Sequence, residues 1–535
     1  METVDAVVIG AGPNGLVAAN LLADAGWEVL VLEAAEQPGG AVRTAEVTAP
    51  GFRTDLGSAF YPMGAASPVL RGLELESYGL RWRHAPAALA HVLPDDRCVL
   101  LSRDVEVTAA SLAGFATGDA DVWRAEVARW QRIRDDLLGA ILTPFPPVRS
   151  GLRLARELGA ADGLRFARLA AMSARAVGRE RFAGEGARLL LAGNALHTDL
   201  GPDNAGSAVF GWLLSMLAQD VGFPVPEGGA GELSNALVRR LAARGGRVRC
   251  GREVTRVLTA QGKAVGVRDA SGELVRASRA VLADVAAPAL YLDLVGAEHL
   301  PERLVRDLRG FQWDDATVKV NWALSEAIPW TNEQASMAGT VHLDGDLGDL
   351  SGYSADLARG RVPQRPFLIL GQMTTADPSR SPAGTESVWA YTHVPRGLPW
   401  GAEDVRRYAE QLERIVDKHA PGFVARVIGR HVQGPADLER HDANLAEGAI
   451  NGGTAAVHQQ LVFRPVPGLA RADTPIDRLF LAGASAHPGG AVHGGPGANA
   501  ARAALARAGA TGELYVGAIR ALHRAVYPRE SFSAL

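Results

Sequence analysis

The residues with the clearest chemistry form a glycine-rich turn close to the N-terminus. Three glycines spaced as GxGxxG stand between a short apolar run and a helical run, and a second apolar run ends on a glutamate. Such glycines permit a tight turn, close approach of the backbone to a pyrophosphate and close helix packing, while the acid accepts hydrogen bonds from a ribose. The unit predicts a bound dinucleotide, held by Gly10, Gly12, Pro13, Asn14, Gly15, Glu33 and Ala34.

A second glycine-rich stretch, Gln37 to Thr44, follows the acid and departs from the pattern of nicotinamide dehydrogenases. The block Phe52 to Ser58 and the C-terminal run 478–492 extend the signature. Together these blocks resemble the large flavoprotein family that contains amine oxidases and phytoene desaturases. The resemblance implies FAD as cofactor, with a loop over the pyrophosphate, backbone contact to the adenine and a turn under the isoalloxazine. The further residues that it assigns to FAD are Gly39, Gly40, Ala41, Arg43, Ser58, Val254, Gly483, Gly490, Ala491 and Val492.

Within that family, the segments 452–465 and 487–490 are most similar to the branch named after pyridine nucleotide-disulfide oxidoreductase domain-containing protein 2, and bacterial carotenoid ketolases look similar there. The resemblance implies an FAD-dependent oxidoreductase that passes a hydride from a substrate C–H bond to the flavin. The sequence has no second strand-linked GxGxxG unit, so we expect an external electron acceptor, oxygen or a quinone.

Three functions remain open at this point. The first is a phytoene desaturase-like dehydrogenase or desaturase of an apolar, isoprenoid or carotenoid substrate. The second is a flavin-dependent oxidase of a smaller amine or alcohol. The third, from another class, is a non-catalytic lipid carrier of the GDP dissociation inhibitor type, against which the intact glycine turn argues.

Lys319 is the first candidate for a catalytic side chain. Only three of the 55 basic residues are lysines, and this one lies in an alternating strand pattern, Thr317 to Trp322, with one polar and one apolar face. A lysine is a compact donor whose pKa shifts when it is buried, and in the related amine oxidases a lysine on a comparable strand holds a water against the flavin. The two interpretations are a lysine that orients a water or substrate group at the flavin, and one that extends from a half-exposed strand into solvent.

Two histidines of the C-terminal flavin block are the other catalytic candidates. For His487, inside the block, the alternatives are a structural hydrogen bond and proton transfer. His493 lies close behind and is a candidate to face the substrate. The sequence has no metal-ligand spacing such as HExxH or CxxC and no nucleophile elbow. We therefore expect neither a metal site nor serine-hydrolase chemistry.

The candidate residues must be positioned by strands and helices. The order of strand and helix patterns predicts an α/β fold, with a discontinuous Rossmann-type FAD-binding domain and an α+β substrate domain. Helical patterns cover 123–141 and 153–177, and strand patterns cover 316–324, 367–372 and 387–393. The predicted segments are 1–84, FAD-binding; 85–225, mostly helical; 226–289, FAD-binding; 290–470, substrate strands and helices; and 471–535, FAD-binding with C-terminal helices.

Composition and charge restrict the partners and the location. A net charge of −4 argues against nucleic acid, and two distant cysteines fit a reducing cytoplasm. The stretch 149–181 is rich in arginine with interleaved leucines, which fits either a peripheral contact with a membrane or a solvated helix face over a core. We expect a cytoplasmic protein that acts on a small, apolar molecule, with 149–181 as the candidate contact on the inner membrane face.

Overall fold

The computed structural model of the chain describes residues 2–343 and 345–528. Within these residues the strands form two seven-stranded sheets and two small pairs. The small pairs are Thr44–Ala45 with Thr54–Asp55, and Trp82–Arg83 with Val225–Pro226. The architecture is therefore built on two separate sheets, which we call the first and the second sheet.

The first sheet begins with the N-terminal strand, whose side chains alternate between two buried cores. Val8 packs into one core and Val7 into the other, so both faces of the sheet are covered, as is usual where strands run parallel. In spatial order the strands are Arg247–Arg249, Val29–Leu32, Glu2–Ile9, Leu274–Ala283, Lys263–Asp269 and Val254–Ala260, with Leu479–Leu481 beside the end of Leu274–Ala283.

One edge of the strand Leu274–Ala283 is shared by two partners. Its first part pairs antiparallel with Lys263–Asp269, and its last three residues pair parallel with Leu479–Leu481. Its other edge pairs parallel with Glu2–Ile9. Segments from the start, the middle and the end of the chain therefore meet in one sheet, as the discontinuous domain predicted.

The second sheet has one apolar and one partly polar face. Val320 and Trp322 pack on the apolar face with the helix Ala402–His419. The opposite face, which carries Lys319, we call the inner face. In spatial order the strands are Val427–Gln433, Ala316–Leu324, Glu386–Val394, Leu368–Gln372, Ala338–Leu343, Ala87–Val92 and Cys98–Leu101.

Helices cover both sheets. Pro13–Asp24, Gly231–Ala243 and Gly495–Ala508 contribute to the core on one face of the first sheet. The other α-helices of the described residues are Pro62–Ala66, Pro68–Arg71, Val105–Ala113, Asp119–Ile141, Val148–Ala171, Ala174–Arg181, Glu185–Ala195, Ser207–Asp220, Glu302–Arg309, Leu347–Ala358, Ala402–His419, Phe423–Arg426, Pro435–His441 and Gly512–Val526. None of the helices in this part of the chain combines the length and apolar content needed to cross a membrane.

Most predicted elements are confirmed, and one expectation changes. The helical pattern at 153–177 is not one helix, because Val148–Ala171 breaks at Gly159, where φ is +65° and ψ is 179°. Two strands, Ala87–Val92 and Cys98–Leu101, lie in the segment predicted to be mostly helical. Short apolar runs of this kind do not distinguish strand from helix by periodicity. The limits of the five predicted segments remain predictions.

Candidate functional site

The glycine-rich turn lies between the first strand and the helix Pro13–Asp24. Gly10 has a φ of +90°, a conformation that favours glycine. A Cβ on Gly15 would stand 2.2 Å from the carbonyl oxygen of Gly10, so the helix approaches the turn more closely than a side chain permits. Gly12 is the N-cap and brings no side chain to the helix start. The first N–H groups of the helix therefore depend on other partners.

Glu33 turns its carboxylate back towards this turn. Its Oε2 accepts the N–H of Ala11 at 2.6 Å, while Ala34 beside it is exposed. The N–H of Arg252 donates to the carbonyl oxygen of Glu33 at 2.7 Å. Two residues later, the buried Val254 begins the outermost strand of the first sheet. The residues predicted for the ribose and the adenine therefore belong to neighbouring segments.

The stretch 39–43 folds over the turn and joins it to the block 52–58. The N–H of Gly39 donates to the carbonyl oxygen of Ala11 at 2.8 Å. The N–H of Ser58 donates to the carbonyl oxygen of Ala41 at 3.0 Å. Three of the blocks predicted to contact FAD are thus connected directly by backbone hydrogen bonds.

Arg43 connects the same stretch to the helix Pro435–His441. Its Nε donates to the carbonyl oxygen of Gly40 at 2.9 Å, and its Nη2 donates to the carbonyl oxygen of His441. Burial, and then the charge of Arg43, lowers the pKa of His441 to about 4. The arginine predicted to lie near the pyrophosphate is therefore held at both ends of its guanidinium.

The C-terminal block leaves little room for side chains at two of its glycines. A Cβ on Gly483 would stand 2.4 Å from the carbonyl oxygen of Val285, and one on Gly490 would stand 2.9 Å from another backbone oxygen. Ala491 and Val492 have φ values of +82° and +49°. A left-handed β-branched residue is a backbone outlier, and such strain gathers at functional sites.

Lys319 is buried, with 4% of the residue exposed, so the interpretation of a lysine that extends into solvent is wrong. Its Nζ donates to the carbonyl oxygen of Asp55 and, at 3.1 Å, to that of Gly57. Burial lowers the pKa of Lys319 to about 7, with Asp55 opposing the shift and Arg380 adding to it. The lysine is therefore held against the block 52–58, which Ser58 joins to the stretch 39–43.

The carboxylate of Asp55 is occupied by other partners. Its Oδ2 lies 2.7 Å from Nη2 of Arg380, and neither side chain is exposed. Its Oδ1 accepts the N–H of Ala230 at 2.8 Å and the hydroxyl of Thr44 at 2.7 Å. Arg380 also donates to the carbonyl oxygen of Arg53 at 3.1 Å. The pair fixes the block 52–58 between the two sheets.

Aromatic side chains line the inner face beside Lys319. Tyr391 lies opposite Lys319 in the strand register, and its ring stacks on Trp389 with 6.0 Å between centroids. The rings of Phe60 and Trp389 are 5.8 Å apart, as are the Lys319 Nζ and the Trp389 centroid. Phe60, Trp389 and Tyr391 are called the aromatic row. They form an apolar wall next to the buried lysine.

Four histidines, called the histidine cluster, lie further along the inner face. Its members are His91, His197, His342 and His393. Nε2 of His197 lies 2.9 Å from Nε2 of His342. Burial lowers the pKa of His91 to about 4 and that of His197 to about 3, and it also lowers the pKa of His342 and of His393. All four are therefore neutral near pH 7.

The two C-terminal candidates make hydrogen bonds to the backbone. Nε2 of His487 donates to the carbonyl oxygen of Thr143 at 3.1 Å. Nδ1 of His493 accepts the N–H of Gly495 at 3.0 Å, at the start of a helix. Burial lowers the pKa of both imidazoles to about 4. The structural hydrogen bond, one of the two interpretations of His487, is therefore present. Nδ1 of His493 already accepts a hydrogen bond and is not free to face a substrate.

Two buried aspartates lie at the dinucleotide turn; the resemblance placed Asp284 near the cofactor without giving it a role, and sequence reasoning missed Asp442. Oδ2 of Asp284 accepts the N–H of Gly15 at 2.7 Å. Oδ2 of Asp442 lies 3.0 Å from the position of a Cβ on Gly40. One available signal was the position of Asp284 directly after a strand, as for Glu33, because ligands of parallel sheets bind at the carboxyl ends of strands. Asp442 follows a helix and gives no such signal.

The geometry fits the cofactor predicted from the sequence. The turn leaves no room for a Cβ at Gly15, which meets the backbone of Gly10, or at Gly12, which meets the side chain of Asp284, and glycines at these positions are what a bound pyrophosphate requires. The acid Glu33 and the folded-over stretch both bond to the backbone of Ala11 in this turn. The fold and the site define a dinucleotide-binding flavoprotein.

The chain belongs to the flavin-containing amine oxidoreductase family, whose profile matches residues 14–505. Mouse pyridine nucleotide-disulfide oxidoreductase domain-containing protein 2 is 29% identical over 93% of this chain and 92% of that protein. The neurosporene-forming phytoene desaturase of Cereibacter sphaeroides is 26% identical over 91% of this chain and 92% of that protein. The crystal structure of an oxidoreductase from Methanosarcina mazei matches with a TM-score of 0.61 and 18% identity, over 94% of this chain and 100% of that chain.

These findings confirm the predicted resemblance, the α/β fold class and the cofactor. The protein is an FAD-dependent oxidoreductase, and the alternative of a non-catalytic lipid carrier is not supported. The roles of the individual site residues remain predictions.

Proposed function

We propose that the protein is a dehydrogenase or desaturase of an apolar, isoprenoid-like substrate, with oxygen or a quinone as the external electron acceptor. The similarity to a phytoene desaturase over most of both chains supports this choice of substrate class. In the proposal, the segments 1–84, 226–289 and 471–535 hold FAD, and the segments 85–225 and 290–470 bind the substrate. FAD, when bound, supplies the acceptor for a hydride from a substrate C–H bond.

The observation that carries this proposal is the aromatic row beside Lys319. Phe60, Trp389 and Tyr391 offer apolar surface to a substrate chain. The carboxylate in the same region, Asp55, is ion-paired with Arg380 and is not available to pair with a substrate ammonium group. An uncharged, apolar substrate therefore fits this surface better than an amine does.

The cofactor contacts follow from the same placement. We assign the pyrophosphate to the turn of Gly10, Gly12, Pro13, Asn14 and Gly15, and to the stretch with Gly39, Gly40, Ala41 and Arg43. Gly483 is assigned to the pyrophosphate region as well. The ribose and adenine are assigned to Glu33, Ala34 and Val254, and the isoalloxazine to Ser58, Gly490, Ala491 and Val492.

Lys319 is assigned the orientation of a water or a substrate group at the flavin. Its amine reaches the carbonyl oxygens of the block 52–58, and a pKa near 7 lets it exchange a proton at neutral pH. The rate of anaerobic flavin reduction by substrate is expected to change with pH around about 7 in the wild type. Lys319→Gln should lose that inflection while the control Lys263→Gln keeps it. A Lys319→Gln profile identical to the wild type would leave Lys319 with a structural role only.

His487 and His493 are assigned positioning roles at the flavin turn. Their ring nitrogens hold backbone groups of residues Thr143 and Gly495, and their low pKa keeps them neutral and unsuited to proton transfer near pH 7. His487→Asn should therefore alter flavin affinity more than the pH dependence of flavin reduction.

The membrane contact is assigned to exposed leucines of the stretch 149–181. Leu152 and Leu164 are 65% and 74% exposed, although other apolar residues of the stretch pack into the core. Several arginines there pair with acids, as Arg168 does with Glu180. Replacing both leucines by serine should reduce co-sedimentation with anionic vesicles, and Leu514→Ser, at a site 77% exposed on another helix, should not. Equal losses would contradict this assignment.

The experiment that tests the proposed function is anaerobic bleaching of the flavin absorbance. Purified holoprotein is mixed with a C40 isoprenoid in detergent micelles, with aliphatic amines and with alcohols. We expect bleaching with the isoprenoid and none with amines or alcohols. Bleaching by amines or alcohols with peroxide release in air would instead establish the runner-up, a flavin-dependent oxidase of a smaller amine or alcohol.

A further inference from the structure

The carboxyl group of Asp284 lies at the point where the turn is expected to meet the pyrophosphate. Asp284 follows the strand Leu274–Ala283, and its N–H donates to the carbonyl oxygen of Ile9 at 2.8 Å. Its Oδ2 accepts the N–H of Gly15 at 2.7 Å. A Cβ on Gly12 would stand 2.7 Å from the same Oδ2. The carboxyl group thus occupies the start of the first helix, a position that favours an anion.

Two other carboxyl groups face Asp284 from the elements packed against it. Glu33 comes from the end of the neighbouring strand, and Asp442 comes from the segment after the helix Pro435–His441. Arg43 is the base that faces Asp442. Burial raises the pKa of Asp284 to about 8; the hydrogen bond from the Gly15 N–H opposes this shift, and the charges of Asp442 and Glu33 add to it. A bound pyrophosphate adds further negative charge to this group of acids.

An ionised carboxylate and a neutral carboxylic acid would act oppositely here. The carboxylate has acceptor oxygens only and repels a phosphate, whereas the acid offers one O–H donor beside its acceptor oxygens. The N–H of Gly15 already uses one oxygen of Asp284 as an acceptor. The other oxygen is therefore the one that can carry the proton.

We propose that Asp284 binds the FAD pyrophosphate as a neutral carboxylic acid, accepting the Gly15 N–H with one oxygen and donating its own O–H to a phosphate oxygen with the other. The inference rests on the proposed placement of FAD. It makes Asp284 a cofactor-binding residue and makes FAD affinity depend on pH. Affinity is constant while Asp284 is protonated and falls as the group ionises.

The test measures the dissociation constant of FAD for the refilled apoprotein, from the quenching of flavin fluorescence, between about pH 6 and about pH 9. For the wild type we expect a constant value at low pH and a rise of about tenfold per pH unit above about 8. Asp284→Asn keeps a neutral group with one acceptor and a donor. It should bind FAD with nearly the same affinity over the whole range.

Two control variants separate Asp284 from other acids. Asp473→Asn changes a buried carboxyl whose pKa is also raised but which contacts Tyr515, away from the turn, and should keep the wild-type slope. Asp442→Asn should keep most of the slope as well. Loss of the slope in Asp442→Asn but not in Asp284→Asn would overturn the proposal.

The wild type alone is also decisive, in case Asp284→Asn does not fold. A dissociation constant that is independent of pH would overturn the role of Asp284 and leave the placement of FAD standing. Absence of FAD binding at every pH would overturn both. Because the measurement is a binding equilibrium, it needs no substrate and no turnover.

Discussion

The dinucleotide turn and the inner face of the second sheet both bury ionisable side chains, but of opposite types. Around the turn, burial raises the pKa of Asp284 to about 8 and raises that of Asp442. On the inner face, burial lowers the pKa of Lys319 to about 7 and that of His91 to about 4. In each region desolvation favours the neutral form. A neutral Asp284 suits an expected anion, and neutral bases suit an expected apolar substrate.

The two regions therefore respond to pH in opposite directions. The pKa of Asp284 is higher in the folded state, so its contribution to stability is complete below its ordinary value of 3.8 and is lost as pH rises towards about 8. The pKa of His91 is lower in the folded state, so its contribution is present above 6.5 and is lost as pH falls towards about 4. Ionisation of Asp284 therefore lowers stability at high pH, and protonation of His91 lowers it at low pH.

The largest effect is expected at Arg380, where the two regions meet. Arg380→Ala leaves the buried carboxylate of Asp55 without its partner, and loss of one member of a buried ion pair costs about 3–5 kcal/mol of unfolding free energy. Urea unfolding of the holoprotein measures this. The control Arg406→Ala removes an exposed arginine that pairs with acids of its own helix, with an expected cost below about 1 kcal/mol. If both variants lose a similar amount of unfolding free energy, the Arg380–Asp55 pair does not stabilise the contact between the two regions.

The next effect concerns the bases alone. The urea midpoint of the wild type should fall as pH decreases from 6.5 to about 4, because the buried histidines must become charged. His91→Gln removes one titrating group and should reduce this loss by a few kcal/mol, on the order expected for a buried histidine. The exposed His458 provides the control through His458→Gln. If the urea midpoint of His91→Gln falls with pH as it does in the wild type, the opposite pH responses of the two regions are contradicted.

The smallest effect concerns the turn alone. Gly15→Ala forces a Cβ to within 2.2 Å of the carbonyl oxygen of Gly10, and overpacking of this kind costs about 1–3 kcal/mol. FAD affinity should fall by about tenfold to a hundredfold, measured by flavin fluorescence. Gly352→Ala, on a helix where nothing lies within 4 Å of the added Cβ, should bind FAD normally. Normal binding by Gly15→Ala would remove the turn from the cofactor site.

The turn was predictable from sequence because its strand, glycines and acid are contiguous. The inner face was not. The alternation around Lys319 correctly predicted which residues share a face, but a period of two does not tell whether the polar face meets solvent or the rest of the protein. The histidine cluster joins residues from distant segments, such as His91 and His393. Asp284 reaches Gly15 only through the pairing of strands far apart in the chain.

The shared edge of the strand Leu274–Ala283 has a consequence for synthesis on the ribosome. Its C-terminal partner, Leu479–Leu481, emerges roughly 200 residues later, which at ordinary elongation rates is about 10–40 s. During that interval the nascent sheet presents an unfilled edge beside the nascent dinucleotide turn. The helix Gly495–Ala508, which packs on the same core, follows later still. Cofactor capture is therefore expected to be a late event, after most of the polypeptide has left the exit tunnel.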